Sequence, residues 1–432
     1  MTRPFCISAI LLGCFCLPSS QALAQIRDAV VSRRFQQMDA NRDGRITGDE
    51  APLPMLVQRH DRDQDGALTM SEFRAAVETI RGRGENESAR WKPSTFLEAI
   101  PQDAPIDPAS VLAAAKYSAE HLGISFQVTL DGKTVYADYP NGGGPNRRHE
   151  LASGTKTFNT ALACVAVDEG WLRWDEKVSD TLTEWRSDRY KRDITVRQLL
   201  QLVGGLAPES QTPRQVPSYA SAITNDGVHP PGKVYAYGPV PFQCFGELIK
   251  RKLSKQGESA DPLDYLSRRV FDPLGITVGR WRRDSDGNPH LPSGAFLTAD
   301  QWTRFGEMIR NGGGFAGKQV IAPETLQSCM IGSAANPAYG TGIWLNQPVS
   351  AAQRRSIPQL RLATEDMTKS DRIPADLIFA AGAGKQRLYI MPSLGLTVVR
   401  QADGIMQSMG PDRSKYSDRE FLERLLAPVN PR

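Results

Sequence analysis

The chain has 432 residues, long enough for more than one domain and for a large buried core. A hydrophobic share of 40% and a charged share of 23% are those of an ordinary globular protein. The formal charge of +4 is small for this length, and no lysine–arginine block is interleaved with aromatics, which argues against a nucleic-acid partner.

Residues 1–24 read as a secretory signal. Arg3 supplies a short positive region, Phe5 to Leu17 an apolar run, and Ala22-Leu23-Ala24 a small-x-small cleavage site before Gln25. The apolar run is too short to span a bilayer, so no transmembrane span is expected once the signal is removed. Leu11-Leu12-Gly13-Cys14 comes close to a lipoprotein cleavage box. Cys14 falls inside the apolar run with little signal ahead of it, so the expectation is export to the periplasm or the exterior without a lipid anchor. Cys6, Cys14 and Cys16 lie in this segment. The remaining Cys164, Cys244 and Cys329 are odd in number and widely spaced, which makes neither a disulfide framework nor a zinc site, although one pair could form in an oxidising compartment.

Next come two acidic stretches, DANRDGRITGDE at residues 39–50 and DRDQDGALTMSE at 61–72. Both fit the EF-hand calcium loop position by position. In the first, Asp39, Asn41, Asp43 and Thr47 hold positions 1, 3, 5 and 9, Arg45 offers its carbonyl at position 7, and Glu50 closes the loop at 12. The equivalents in the second are Asp61, Asp63, Asp65, Thr69, Ala67 and Glu72. Gly44 and Gly66 sit where the loop must turn sharply, and Ile46 and Leu68 could pair the loops back to back. Pro52 and Pro54 keep the intervening helices short. The pattern resembles compact paired EF-hands of exported bacterial proteins and implies two calcium sites of a structural kind. Arg42 and Arg45 are expected to weaken the first loop relative to the second. Phe73 to Ile80 completes a helix, and the polar stretch from Arg81 to Ser94 has the composition of a linker. The domains expected are a signal at 1–24, an EF-hand pair at 25–90, a linker at 91–108 and a main domain at 109–432.

In the main domain, Ser125 to Tyr139 alternates apolar and polar residues around Asp131-Gly132, a strong hairpin signal. Glu150 to Gly170 follows. Its Phe158, Leu162 and Val165 share one helical face, and Gly170 is a plausible stop. Ser153 and Lys156, three residues apart, fall on one side of the first turn. A lysine whose pKa is lowered by burial can take the serine proton and make a nucleophile. Ile194 to Leu206 reads as a helix stopped by glycines. Helices broken by proline and glycine loops fill most of the stretch to residue 330, including Ala299 to Ile309. Arg387–Met391 and Leu396–Arg400 flank the turn Pro392-Ser393-Leu394-Gly395, and a final amphipathic helix covers Asp418 to Leu426. Strands at both ends with helices between predict an α+β fold, one antiparallel sheet assembled from both chain ends around a large helical insert.

From about Leu112 to Leu426 the chain resembles the serine β-lactamase and penicillin-binding-protein superfamily, in particular its class C-like esterases and amidases. ELASGTKTF looks like the nucleophile motif, and Pro231 to Ile249 like the segment of the Tyr-x-Asn motif. There Tyr237 is kept, but Gly238 and Pro239 follow it. Phe379 to Ser393 looks like the third motif and its edge strand. Ala380-Ala381-Gly382 stands where many relatives carry a lysine or histidine, as in 6-aminohexanoate-dimer hydrolase-like members. The resemblance implies Ser153 as nucleophile, Lys156 as its base, Tyr237 in the proton network, and an oxyanion hole from the N–H groups of Ser153 and Ala383. No cofactor is needed for such chemistry. The lost cation and asparagine argue for a small or peptide-like acyl substrate with an ester or amide bond rather than a β-lactam. The alternatives are a β-lactamase or D-Ala-D-Ala peptidase-like enzyme and a degenerate calcium-dependent binding protein.

Overall fold

Asp131 and Gly132 close a hairpin in the computed structural model, both with positive φ (45° and 79°). That mirror-image turn matches the twist of the strands on either side, which is why the Asp-Gly dipeptide signals it. The structure describes residues 31–32, 35–47, 50, 57, 61, 63, 65–77, 93–208, 216–362, 365–405 and 415–426. The signal-like segment 1–24, most of the stretch between the acidic loops, and the linker-like residues 81–92 lie outside the described residues. The chain forms two units, Met1–Asn86 and Glu87–Arg432.

In the larger unit the strands are β1 (Ser94–Thr95), β2 (Gly123–Leu130), β3 (Lys133–Asp138), β4 (Trp344–Leu345), β5 (Ile378–Gly382), β6 (Gln386–Met391) and β7 (Leu396–Ala402). They make one antiparallel sheet in the order β4-β5-β6-β7-β2-β3-β1. The halves from the two ends of the chain meet where β7 pairs β2, Leu396 opposite Leu130. This is the α+β architecture the sequence predicts. Within the stretch read as a linker, Ser94–Thr95 pairs with Ala137 and Tyr136 at the sheet edge, so residues from 94 onward are part of this unit.

Alternation along β6 sorts the layers. Arg387 and Tyr389 point to one face, where Tyr389 stacks on Phe421 of the C-terminal helix α5 (Asp418–Leu425) and Arg387 meets Asp418. Leu388 points to the other. There a Cβ on Gly306 of α4 (Ala299–Arg310) would lie 2.7 Å from Leu388 and Thr397, so only glycine lets that helix lie so close to the sheet. Helix α1 (Pro108–Glu120) packs beside α5. Its start is set by Asp107, whose side chain accepts from Ser110 N while Ser110 bonds back, a reciprocal cap.

Helix α2 (Lys156–Asp168) carries the serine–lysine stretch and is buried from Lys156 through Ala166 on every side. Phe158, Leu162 and Val165 do share a face, but Ala161, Ala163 and Ala166 are covered as well. An all-round apolar helix is a central helix. The helix expected over Ile194 to Leu206 is shorter, Val196–Leu200, started by Thr195 and ended as Leu202 takes φ 61° ahead of Gly204-Gly205. Helix α3 (Val240–Lys255) lies behind the tyrosine segment. No helix among the described residues is long and apolar enough to cross a membrane.

In the smaller unit the strands Arg45–Thr47 and Ala67–Thr69 pair antiparallel with Ile46 opposite Leu68, both fully buried. Val31, Phe35, Val57 and Phe73 pack around them. Gly44 and Gly66 take φ of 83° and 89°, the left-handed turn each acidic loop requires.

Candidate active site

Three short strands carry the serine into place: His149–Glu150 pairs with Ala295–Leu297, which pairs with Arg280–Trp281. Glu150 is fixed by Arg282 at 2.7 Å, and Leu151 N donates to the Ala295 carbonyl. The chain then turns hard. Ala152 has φ 46°, strained for a residue with a Cβ, and Ala152–Thr155 forms a 3-10 turn running straight into α2. Ser153 thus sits in that tight turn just ahead of the α-helix and is half-buried. Gly154 must be glycine-small, since a Cβ there would lie 2.9 Å from Trp302.

Lys156 Nζ donates to Ser153 Oγ at 3.1 Å and to the Pro292 carbonyl at 3.1 Å. Its side chain is buried, and its charge faces the rings of Tyr237 (4.8 Å to the centroid) and Phe242 (5.4 Å). Burial alone lowers its pKa from 10.5 to about 7. An ammonium with two neutral acceptors and two rings is poorly compensated for lost water, so the neutral amine becomes accessible near neutral pH.

Tyr237 is the tyrosine that the fold brings to this pair, and Tyr235 packs edge-on against Tyr339. Burial pushes the Tyr237 phenol up to about 12, while a hydrogen bond with Ser153 and the charge of Arg387 oppose that rise. The ring stacks on Trp344 and meets Tyr339 edge-on. On its flanks, Ala236 N donates to the Leu202 carbonyl, and Gly238 runs so close to the Pro208 carbonyl that no side chain would fit. These contacts fix Tyr237 through loop residues that no periodicity marks.

Strand β5 ends against the turn that carries Ser153. A Cβ on Gly382 would strike the Leu151 carbonyl and lie 3.1 Å from Gly154 N. Ala383, the next residue, is exposed in the turn to β6, which Gly384 and Lys385 close with positive φ. Opposite Ala381, Arg387 does not replace the cation of the third motif. It is fully buried and committed to Asp418 and to the Gly382 and Gln386 carbonyls. Sequence reasoning misses Pro292 and Tyr339, which lie in loops whose composition gives no signal, Trp344, which lies in a two-residue edge strand too short to show a period, and the Arg387–Asp418 pair.

The acidic loops turn their carboxylates inward. Glu50 accepts from Ala40 N, Asn41 N, Thr47 N and Thr47 Oγ1 at 3.0–3.2 Å, and these bonds hold its carboxyl below the usual range. Glu72 accepts from Thr69 N and Oγ1. Asp39 accepts from Asp43 N and Gly44 N, and Asn41 Nδ2 bonds Asp43. In the second loop, ligand oxygens of Asp61, Asp63 and Asp65 lie within 4.8 Å of one another. Asp61 Oδ1 is buried with no hydrogen-bond partner among the described residues, and Asp63 is raised by desolvation and by the charges of Asp65 and Glu72. Three close carboxylates, one of them with an unpartnered oxygen, are residues that could hold a hard divalent cation. The Ala67 carbonyl and Thr69 complete that donor set by position. Arg45 reaches out of the first loop to Asp65 of the second at 2.5 Å, so its charge bears on the second loop and not only on its own, as the sequence suggests.

Sheet, helical insert and the turn that carries Ser153 together define a hydrolase fold of the β-lactamase and penicillin-binding-protein type. The family model described as Beta-lactamase matches residues 109–419, and the chain belongs to that family. A second model, EF hand, matches residues 31–50. A penicillin-binding protein homologue from Caulobacter crescentus superposes with a TM-score of 0.54 at 16% identity, over 72% of this chain and 94% of that one. A Bacillus anthracis protein provisionally named a 6-aminohexanoate-dimer hydrolase gives 0.53 at 16%, over 71% and 78%. A family VIII carboxylesterase gives 0.51 at 14%, over 70% and 93%. At these identities the likeness is one of fold. An uncharacterised Mycobacterium tuberculosis protein is 26% identical over 239 residues, 41% of this chain, and the chain spans 57% of that relative's length.

Proposed function

We propose that this chain is an exported serine hydrolase that cleaves an ester or amide through an acyl-enzyme on Ser153. The observation that carries the reading is the buried Lys156 amine, 3.1 Å from Ser153 Oγ and brought by burial to a pKa of about 7. The neutral amine takes the hydroxyl proton as Oγ attacks the substrate carbonyl carbon. The N–H groups of Ser153 and Ala383 receive the developing oxyanion. As the tetrahedral adduct collapses, Tyr237 passes a proton to the departing alcohol or amine and takes up the proton that Lys156 accepted, so that both groups return to their starting forms. Water then attacks the acyl ester, its proton goes to Lys156 or Tyr237, and Ser153 leaves as the restored hydroxyl.

Ala380 and Pro239 stand where a β-lactam-recognising site would hold a cation and an asparagine, which favours a small or peptide-like acyl substrate. In the N-terminal unit Asp39, Asn41, Asp43, Arg45 (by its carbonyl), Thr47 and Glu50 would hold one calcium ion, and Asp61, Asp63, Asp65, Ala67 (by its carbonyl), Thr69 and Glu72 a second. The ion's contribution is counter-charge for the converging carboxylates, a structural one.

A chromogenic short-chain ester, assayed with wild type beside Ser153→Ala, tests the enzyme. Turnover is expected in the wild type and its loss in the variant, and equal rates would overturn the reading. Rapid turnover of a chromogenic cephalosporin would instead restore the β-lactamase alternative.

A further inference from the structure

Three cysteines lie beyond the signal-like segment, and the fold sorts them. Cys164 is on α2, two turns beyond Lys156. Cys329 ends the helix Pro323–Cys329, and Cys244 lies on α3. The Sγ atoms of Cys164 and Cys329 are 3.2 Å apart, with both side chains fully buried and the Thr325 carbonyl facing both sulfurs. A disulfide bond is about 2.05 Å long, so the approach still needed is roughly 1 Å, within the reach of small side-chain rotations.

We propose that Cys164 and Cys329 join as a disulfide while the chain folds in an oxidising compartment, leaving Cys244 as a free thiol. The pairing is a property of the fold. Its formation in the cell rests on the export reading. The oxidant is a disulfide-bearing donor, a small disulfide or a dithiol oxidase. One cysteine thiolate attacks a donor sulfur, forms a mixed disulfide and releases a donor thiolate. The second cysteine thiolate attacks the protein sulfur of that mixed disulfide, forms the Cys164–Cys329 bond and releases the other donor thiolate. The protein gives up two electrons, the donor disulfide becomes two thiols, and the protons of the cysteine thiols pass to those leaving groups. Because both sulfurs are closed off in the folded chain, exchange precedes the docking of Pro323–Cys329 against α2.

The bond would span the rear of the candidate site. Thr341 N donates to the Cys329 carbonyl, and Thr160 Oγ1 of α2 donates to the Thr341 carbonyl. Three residues on, Trp344 stacks against Tyr237. The cross-link therefore ties the helix that carries Lys156 to the segment that backs the tyrosine. It also closes a long loop, the case in which a cross-link restricts the unfolded chain most.

The test uses the full chain with Cys6, Cys14 and Cys16 changed to serine, reduced, denatured and refolded in a glutathione–glutathione disulfide buffer. Expected are a mass lower by two hydrogens, a Cys164–Cys329 linked peptide, and a melt lowered by about 5 °C on adding reductant. Adding Cys244→Ser should leave all three results unchanged. In the Cys164→Ala, Cys329→Ala double variant, which avoids an orphan thiol, reductant should no longer move the melt. A folded product with free thiols at both positions, or a link through Cys244, overturns the proposal. Refolding in vitro keeps the pairing separate from export, which signal cleavage in an exporting host reads instead.

Discussion

Arg387 and Lys156, two of the buried cations of the hydrolase unit, are buried differently. Arg387 meets the carboxylate of Asp418 with two of its nitrogens, one of them at 3.0 Å, and Tyr389 donates to the same carboxylate. Burial opposes its charge, yet Asp418 holds the guanidinium above its ordinary pKa, and Arg387 in turn holds Asp418 below the usual carboxylate range. Lys156 is as deeply covered and is given a hydroxyl, a carbonyl and two rings. A buried cation with an anion is part of the scaffold. A buried lysine given only neutral partners has a proton it can exchange, and that is the residue three positions from Ser153.

This contrast can be broken by substitution. Lys156→Met should lower kcat/KM for an ester at least ~1,000-fold while leaving the melt unchanged or raised, because no anion is stranded. A variant that keeps a tenth of the activity would remove Lys156 from the chemistry. Arg387→Met should do the reverse, lowering stability by about 3–5 kcal/mol in denaturant titration because Asp418 stays buried without its counter-charge. Pairing it with Asp418→Leu should restore much of the loss. If single and double variants unfold alike, the pair is not what holds α5 to the sheet.

The pH profile sharpens the same point at smaller scale. In the proposed mechanism the active form of Lys156 is the neutral one, so kcat/KM should fall about tenfold per pH unit below about 7 and level off above it. Tyr237, pushed to about 12, remains protonated across that window. A flat profile from pH 5 to 8 would contradict this assignment of the base. Arg45 marks the exposed extreme of the comparison, half-exposed beside Asp65. Solvent screens such a pair, so Arg45→Ala should tighten calcium binding only about two- to fivefold in a calorimetric titration. Weaker binding in the variant would show that the guanidinium does not compete with the ion.

Local signals bring much of this into view from the sequence. Asp131-Gly132, the strands around Pro392–Gly395, the glycines of the acidic loops and the Ser153–Lys156 spacing all express backbone rules acting within a few residues. The groups that give the site its character act across the chain. Pro292 reaches Lys156 from the far side of the helical insert, and Asp418 reads as the start of an amphipathic helix until the fold sets it under Arg387. Even the helix from Val196 is shorter than its pattern suggests, because Leu202, a residue with no marked left-handed preference, turns the chain before the glycines expected to stop it.

The seam between β2 and β7 has a consequence for the order of events in folding. More than half the chain separates Leu130 from Leu396, so the sheet is a non-local assembly that cannot close until the last strands have been made. Until then α4 has no sheet to lie against, and its apolar side is open to other chains. Gly382 presses on the turn that carries Ser153 only after that closure. Truncation within β7 should therefore produce aggregation rather than a smaller, inactive domain, and the competent serine is among the last features the molecule acquires.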